Sequence, residues 1–173
     1  MKKLILAMAL TILAIIPGCK WFSTQEESEC SGVVKMLNVA LAEEWLAAYQ
    51  YWIGAQVAKG ALGQQASEEF LEHYHEELEH AQKIADRIMQ LDGVPVLNPK
   101  EWFTLSPHGF DHPTNFDAKK LIEQNIASER RAIKTYNKIL TVVHGKDHAT
   151  YDLVSGILRD EIEHENELER LIE

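Results

Sequence analysis

Two short segments of the chain place a histidine three residues after a glutamate. They are Glu77-x-x-His80 and Glu161-x-x-His164. On an α-helix, residues i and i+3 lie one turn apart on nearly the same face, so a carboxylate and an imidazole can bind one metal ion from a single helix. Mixed oxygen and nitrogen donors of this kind suit first-row transition metals. The spacing therefore predicts metal binding.

Two further glutamates repeat this arrangement along the chain. Glu44 lies 33 residues before the glutamate of the first motif, and Glu129 lies 32 residues before that of the second. Each is followed seven residues later by a tyrosine, Tyr51 or Tyr136. Both halves of the chain thus carry a glutamate, a tyrosine and a Glu-x-x-His pair, which predicts two matched half-sites.

Four helical segments carry these residues, because apolar residues recur at the alternating four- and three-residue spacing of bundle packing. The segments cover about 31–59, 65–91, 116–144 and 147–173, with Asn115 as the predicted cap of the third. Short turns join the first segment to the second and the third to the fourth, which predicts two antiparallel hairpins. The segment 93–115 contains four prolines and predicts a long irregular crossover. The predicted fold is an all-α, antiparallel four-helix bundle over 31–173.

Each predicted apolar seam is interrupted near its middle by one glutamate. A buried carboxylate is costly, so four that face one another need cations or protons. A pair of metal ions would satisfy them all, with Glu44 and Glu129 completing or bridging the site. The predicted metal ligands are Glu44, Glu77, His80, Glu129, Glu161 and His164. The alternative is a metal-free, protonated network, which would be unusually costly for four buried acids.

The seams also separate these ligands from similar neighbours. A third Glu-x-x-His match, Glu72 to His75, falls off the seam and has no counterpart in the other half. Glu43 precedes Glu44 but also lies off the seam, so we expect it to be solvated. The sequence therefore favours one set of six ligands over the other combinations.

Four other residues have weaker predicted roles. Tyr51 and Tyr136 are core aromatics that are also placed to bond ligand carboxylates or to donate electrons, which makes them the candidate catalytic residues. His73 is interpreted as a surface histidine, with an iron access path as the alternative. Asp160 directly precedes Glu161 and is a candidate for orienting a ligand histidine.

The charge balance and the N-terminus bear on partners and location. The net charge is −10 and lysines and arginines form no dense block, so no nucleic-acid partner is expected. Two lysines, an apolar run and a Pro-Gly-Cys sequence predict a signal peptide over 1–18 of the lipoprotein type, followed by a tether over 19–30. Cys19 is then lipidated, or it forms a disulfide with Cys30. The predicted location is the cell envelope or periplasm, with the chain exported, and anchored to the membrane if Cys19 is lipidated.

At these motifs the sequence resembles the ferritin-like superfamily, particularly bacterioferritin and Dps-like ferritins. The segments that carry the resemblance are 41–52 and 158–164. It implies a ferritin-like bundle with two Fe ions per chain, or Mn as the alternative, and Fe(II) oxidation by O2 or H2O2. Bacterioferritin binds haem through a methionine that is Leu78 here, so no haem is expected.

The resemblance also implies a closed homo-oligomer that stores or detoxifies iron. Only nine residues follow His164, so a 12-subunit shell or a smaller assembly is expected instead of 24 subunits. The first functional hypothesis is a ferroxidase-like oxidoreductase. Two alternatives remain: a peroxide scavenger similar to rubrerythrin or manganese catalase, and a non-enzymatic metal-binding protein of the envelope.

Overall fold

The computed structural model describes residues 24–173, with side chains from residue 30 onward. It contains four long helices and one short helix: α1 (Thr24–Val57), α2 (Gly63–Gln90), α3 (Trp102–Leu105), α4 (Ala118–Val143) and α5 (His148–Ile172). The predicted signal segment 1–18 and Cys19 lie outside the described residues. Cys30, the other cysteine, places its Sγ 3.7 Å from the carbonyl oxygen of Leu91.

The four long helices form two hairpins, since α1 packs mainly on α2 and α4 packs mainly on α5. The prediction of an all-α four-helix bundle is therefore confirmed. Among the described helices, none combines the length and the apolar character that crossing a membrane requires. Backbone hydrogen bonds between Lys59 and the start of α4 join the two hairpins near the α1–α2 turn.

Several predicted helix boundaries differ from the structure, and the starts of α1 and α4 are the informative cases. Helix α1 begins at Thr24, so residues 24–30, which were assigned to the tether, are helical. Helix α4 begins at Ala118, and its cap is Asp117, whose side chain accepts a hydrogen bond from the Lys119 amide at 3.1 Å. Asn115 was predicted as this cap, but it accepts instead from the Asp117 amide, at 2.9 Å. Asx residues serve turns and caps equally well, so neighbouring candidates are difficult to separate by sequence.

The crossover between α2 and α4 is more regular than predicted. A 3-10 turn over Pro99–Glu101 leads into α3, and the Asn98 side chain caps it. Several contacts attach the crossover to α1, among them a hydrogen bond and an aromatic stack. The Asn38 side chain accepts from the Val96 amide at 2.6 Å, and Trp102 stacks on Trp45 with 5.3 Å between ring centroids.

The bundle core is divided into two apolar clusters. One lies toward the start of α1 and includes Leu37, Ile84, Ile139 and Val154; the other lies toward its end and includes Ala55, Phe70, Ile122 and Leu168. Between the clusters, polar side chains are buried on all four long helices. This polar layer coincides with the middle of the predicted seams. Burial of the apolar cluster on each side of it stabilises the bundle.

Candidate metal centre

Six polar side chains meet in the layer between the two apolar clusters. Each of them is at most 2% exposed. Helix α1 supplies one, α2 two, α4 one and α5 two: Glu44, Glu77, His80, Glu129, Glu161 and His164. The structure thus brings together all six residues that the sequence predicts as ligands, and it excludes Glu72 and His75 from the set because both are exposed.

The first half of the centre surrounds the Nδ1 atom of His80. This nitrogen lies 3.1 Å from Glu161 Oε1, 3.3 Å from Glu77 Oε2 and 3.4 Å from Glu44 Oε2. One donor atom from each of the four residues falls within 4.8 Å of the others. Donor atoms that each lie about 2.1 Å from one ion would be roughly 3 Å apart, so this spacing fits a single cation.

The second half surrounds the Nδ1 atom of His164. Glu77 Oε1 lies 3.4 Å away, Glu161 Oε2 3.8 Å and Glu129 Oε2 3.9 Å. Glu77 and Glu161 contribute donors to both halves, whereas Glu44 and Glu129 belong to one half each. The geometry therefore favours Glu77 and Glu161 as the bridging carboxylates, with Glu44 and Glu129 completing the two halves.

Several polar atoms of the layer are buried and have no hydrogen-bond partner among the described residues. They include Glu44 Oε2, Glu77 Oε1, Glu161 Oε1 and His164 Nδ1. Leaving such atoms unpaired costs about 1–3 kcal/mol each. All four point into the space between the carboxylates and the imidazoles, where cations would satisfy them. The residues present therefore fit a pair of metal ions.

In the absence of cations, the buried acids and imidazoles of the polar layer shift one another's pKa values. Burial, followed by the charge of Glu161, raises the pKa of Glu129 well above its usual value. Burial alone would lower the pKa of His164, but hydrogen bonding and charge from Glu77 outweigh it and raise this pKa to about 10. Burial opposes protonation of His80 as well, yet Glu161, Glu44 and Glu77 raise its pKa. The raised pKa values of the two imidazoles and of Glu129 all reduce the net negative charge that cations would otherwise balance.

Each ligand histidine directs its other nitrogen to an outer carboxylate on the opposite hairpin. His80 Nε2 lies 3.2 Å from Asp160 Oδ2, and His164 Nε2 lies 2.5 Å from Glu76 Oε2. An N–H on each Nε2 donates to these acceptors, which leaves the Nδ1 lone pair for a metal. Asp160 therefore has the position predicted for it. Glu76 was missed, although an acidic residue precedes the glutamate in both Glu-x-x-His motifs.

Replacing Asp160 with alanine is expected to weaken cation binding at the His80 half by roughly 10–100-fold, because the imidazole loses the acceptor that fixes its tautomer. Asp160 is 49% exposed, so the change leaves the fold intact. Co(II) titration of metal-free protein measures the effect. The Asp160→Asn variant keeps an acceptor oxygen and should recover most of the affinity. Equal weakening in Glu163→Ala, an exposed neighbour, would contradict this role.

The two predicted tyrosines contact the centre in a crossed pattern between α1 and α4. The Tyr51 hydroxyl donates to Glu129 Oε1, and the Tyr136 hydroxyl donates to Glu44 Oε1. Burial, and then the charges of the nearby glutamates, raise the pKa of both hydroxyls well above the usual value, so both stay protonated as donors. The tyrosines therefore position Glu129 and Glu44, the two carboxylates that each belong to only one half of the centre. Electron donation by them stays a prediction.

Two residues near the centre differ from their predicted environment. Glu43 was expected to be solvated, but it is half-buried and burial raises its pKa. It lines a cleft that leads from His108 and Phe110 in the crossover to the metal ligands. His73, interpreted as a surface histidine, is 1% exposed. His73 lies one turn before Glu77 on α2, and it is buried because its ring stacks on His164 of α5, a contact that helical spacing does not reveal.

Comparison with known proteins identifies the fold family. Residues 34–173 match the family model for ferritin, which describes a ferritin-like domain. The chain belongs to the ferritin-like family. The resemblance seen in the motifs is therefore confirmed, and the matched range contains all six candidate ligands.

Individual relatives agree with this assignment. The structure of a dodecameric thioferritin, the bacterioferritin-related protein of Bacteroides fragilis, is 46% identical, covers 85% of this chain and 92% of its own, and superposes with a TM-score of 0.81. A DNA protection during starvation protein of Pyrococcus furiosus is 29% identical over 81% of this chain and 76% of its own. Dps from Thermosynechococcus elongatus is 19% identical, with a TM-score of 0.81 over 87% of this chain and 96% of its own, and shows the shared fold.

Proposed function

We propose that this ferritin-like chain binds two Fe(II) ions in the polar layer and oxidises them, with O2 or H2O2 as the oxidant. Family membership and the donor set together support iron binding. The observation that carries the proposal is the convergence of four buried carboxylates and two imidazoles on two adjacent positions that share Glu77 and Glu161. Such a site is rich in anionic oxygen donors, which favour the ferric product over the ferrous substrate.

The chain's own residues prepare the site for this reaction. Two Fe(II) ions supply the two electrons that reduce H2O2 to water, or O2 to hydrogen peroxide. Tyr51 and Tyr136 hold one oxygen each of Glu129 and Glu44, which leaves the other oxygen directed inward. Asp160 and Glu76 hold the outer nitrogens of the histidines. Because these contacts exist before a cation arrives, little rearrangement is needed for binding.

Anaerobic loading with Fe(II), followed by oxidant, tests the proposal. We expect at least two Fe(II) to bind per chain and near-ultraviolet ferric absorbance to appear after O2 or H2O2 is added. Binding of fewer than two, or no ferric signal with either oxidant, would overturn it. The outcome also separates the alternatives. A peroxide scavenger, with Fe or Mn, consumes many H2O2 per metal centre, whereas the proposed function consumes oxidant in proportion to the iron oxidised. A non-enzymatic metal-binding protein retains ferrous iron without oxidation.

We further propose that the chain forms a homo-oligomeric shell of twelve subunits, in which oxidised iron is stored or detoxified. The support is the 46% identical relative from Bacteroides fragilis, which is described as dodecameric. Light scattering on the purified protein measures the assembly mass directly. The name of the relative from Pyrococcus furiosus refers to DNA protection. The net charge of −10 repels phosphate, so the absence of a nucleic-acid partner stays our prediction for this chain.

A further inference from the structure

A second group of metal-ligating side chains lies beside the dinuclear centre, on the outer side of His164. It consists of Glu69 and His73 on α2 and Glu167 on α5. His73 Nε2 lies 3.1 Å from Glu167 Oε2 and 3.8 Å from Glu69 Oε1. One donor atom from each residue falls within 4.8 Å of the others, the same closeness that defines the two halves of the centre. We call these three residues the outer cluster.

The imidazole of the outer cluster is buried, whereas its carboxylates reach solvent. His73 is 1% exposed, while the side chains of Glu69 and Glu167 are 25% and 33% exposed. The His73 ring stacks on His164 with 4.1 Å between centroids and meets the edge of Tyr51 at 5.1 Å. Its Nδ1 atom is buried without a hydrogen-bond partner among the described residues. Packing therefore fixes the ring with Nε2 directed at the two acids.

The charges around the outer cluster also favour a cation. Two carboxylates converge on one nitrogen. The nearby Arg170 donates to Glu163 Oε1 at 3.2 Å and lies 3.6 Å from Glu167 Oε1. The other oxygen of Glu167 faces His73. A histidine that served only as a tie between helices would need a single acceptor, and Glu167 alone supplies it. Glu69 lies one helical turn before His73, so helix geometry holds a second carboxylate beside the same nitrogen, and a cation between these groups would balance both charges.

We propose that the outer cluster is a third cation site, separate from the dinuclear centre. One imidazole nitrogen and two carboxylate oxygens are a donor set for a divalent first-row metal ion, with the remaining positions open to water on the exposed side. The site takes its cation from solvent through the exposed carboxylates. The stacked His73 and His164 rings place that cation next to the second half of the dinuclear centre.

Co(II) titration of the assembled, metal-free protein tests the third site, with binding followed by the visible absorption of the ion. Wild-type protein is expected to bind three Co(II) per chain. The double variant Glu69→Gln, Glu167→Gln is expected to bind two, because it retains the dinuclear centre. The matched control Glu68→Gln, Glu163→Gln removes the same charge from exposed positions of the same two helices and is expected to bind three.

A stoichiometry of two in wild-type protein, or of three in the Glu69/Glu167 variant, would overturn the third site. If that variant fails to fold, His73→Gln provides the test: affinity for the third Co(II) should fall at least about 10-fold, while the other two remain. Unchanged affinity in His73→Gln would equally overturn the site. Failure of the proposed function is distinguishable. Loss of the dinuclear centre would remove two Co(II) from the wild type and from both double variants, and failure of oxidation would appear only as missing ferric absorbance in the Fe(II) assay.

Discussion

Replacing Glu77 with glutamine is expected to remove both cations of the dinuclear centre and to slow formation of ferric iron by about 100-fold or more. The reason is that Glu77 offers one oxygen to each half: Oε2 lies 3.3 Å from His80 Nδ1, and Oε1 lies 3.4 Å from His164 Nδ1. A neutral amide presents one weak oxygen donor in place of two anionic ones. Anaerobic Fe(II) binding and ferric absorbance after mixing with oxidant measure the two effects.

Glu129→Gln is the informative comparison for this experiment. Glu129 belongs only to the His164 half, so one cation should be lost and the His80 half should still bind. Glu79→Gln is the matched control on the same turn of α2, because its side chain is 73% exposed and reaches only Lys83. Equal losses in Glu77→Gln and Glu129→Gln would contradict the assignment of Glu77 as a bridging carboxylate.

A redox-inactive divalent cation is expected to stabilise the metal-free protein strongly. At a free Co(II) concentration about 100 times the dissociation constant, each occupied site adds about 2.7 kcal/mol to the free energy of unfolding. For a chain of this length, each kcal/mol raises the melting temperature by about 2–4 °C, so one site contributes about 5–11 °C. The cations act where four buried polar atoms otherwise lack partners. Differential scanning calorimetry at a fixed protein concentration measures the shift.

Glu129→Gln should affect stability in opposite directions with and without metal. Without metal, the melting temperature should rise, because an amide replaces an acid whose burial and neighbouring carboxylates raise its pKa well above its usual value. With Co(II), the stabilisation should fall by the contribution of one site, about 2.7 kcal/mol under the same conditions, because the cation of the His164 half is lost. A wild-type protein that gains no stability from Co(II) would contradict the metal centre and favour the protonated network of acids and imidazoles.

The helices and the polar layer could be predicted because they depend on local periodicity. Leu37, Leu41, Ala48 and Tyr51 recur at bundle spacing around Glu44, and all are buried in the structure. Helix α5 shows the limit of predicting burial from local periodicity. Bundle spacing counted back from Glu161 predicts Leu158 in the core, whereas in the structure Ile157 is buried and Leu158 is only partly buried. A straight helix of 3.6 residues per turn shifts away from a strict heptad pattern, and sequence spacing alone does not show where.

Contacts between helices were harder to predict, because they join residues far apart in the chain. Asp160 was a candidate for orienting a histidine, but nothing local indicates that its partner is His80, 80 positions earlier. Glu76 was missed for the same reason, since its partner His164 lies 88 positions away. The repeated spacing identified the two tyrosines. It did not show that each tyrosine bonds the glutamate of the other helix, Tyr51 of α1 to Glu129 and Tyr136 of α4 to Glu44.

The sequence by itself determined that the six candidate ligands face the interior, since one glutamate per seam and a histidine at i+3 are fixed by the geometry of a single helix. Only the tertiary structure decided which carboxylates are shared, which acids hold the outer nitrogens of the ligand histidines, and that His73 is buried against His164. The physical reason is that helical periodicity sets a direction within one element, whereas sharing and stacking depend on how four helices are rotated against one another. That rotation is set by packing of the two apolar clusters on either side of the polar layer.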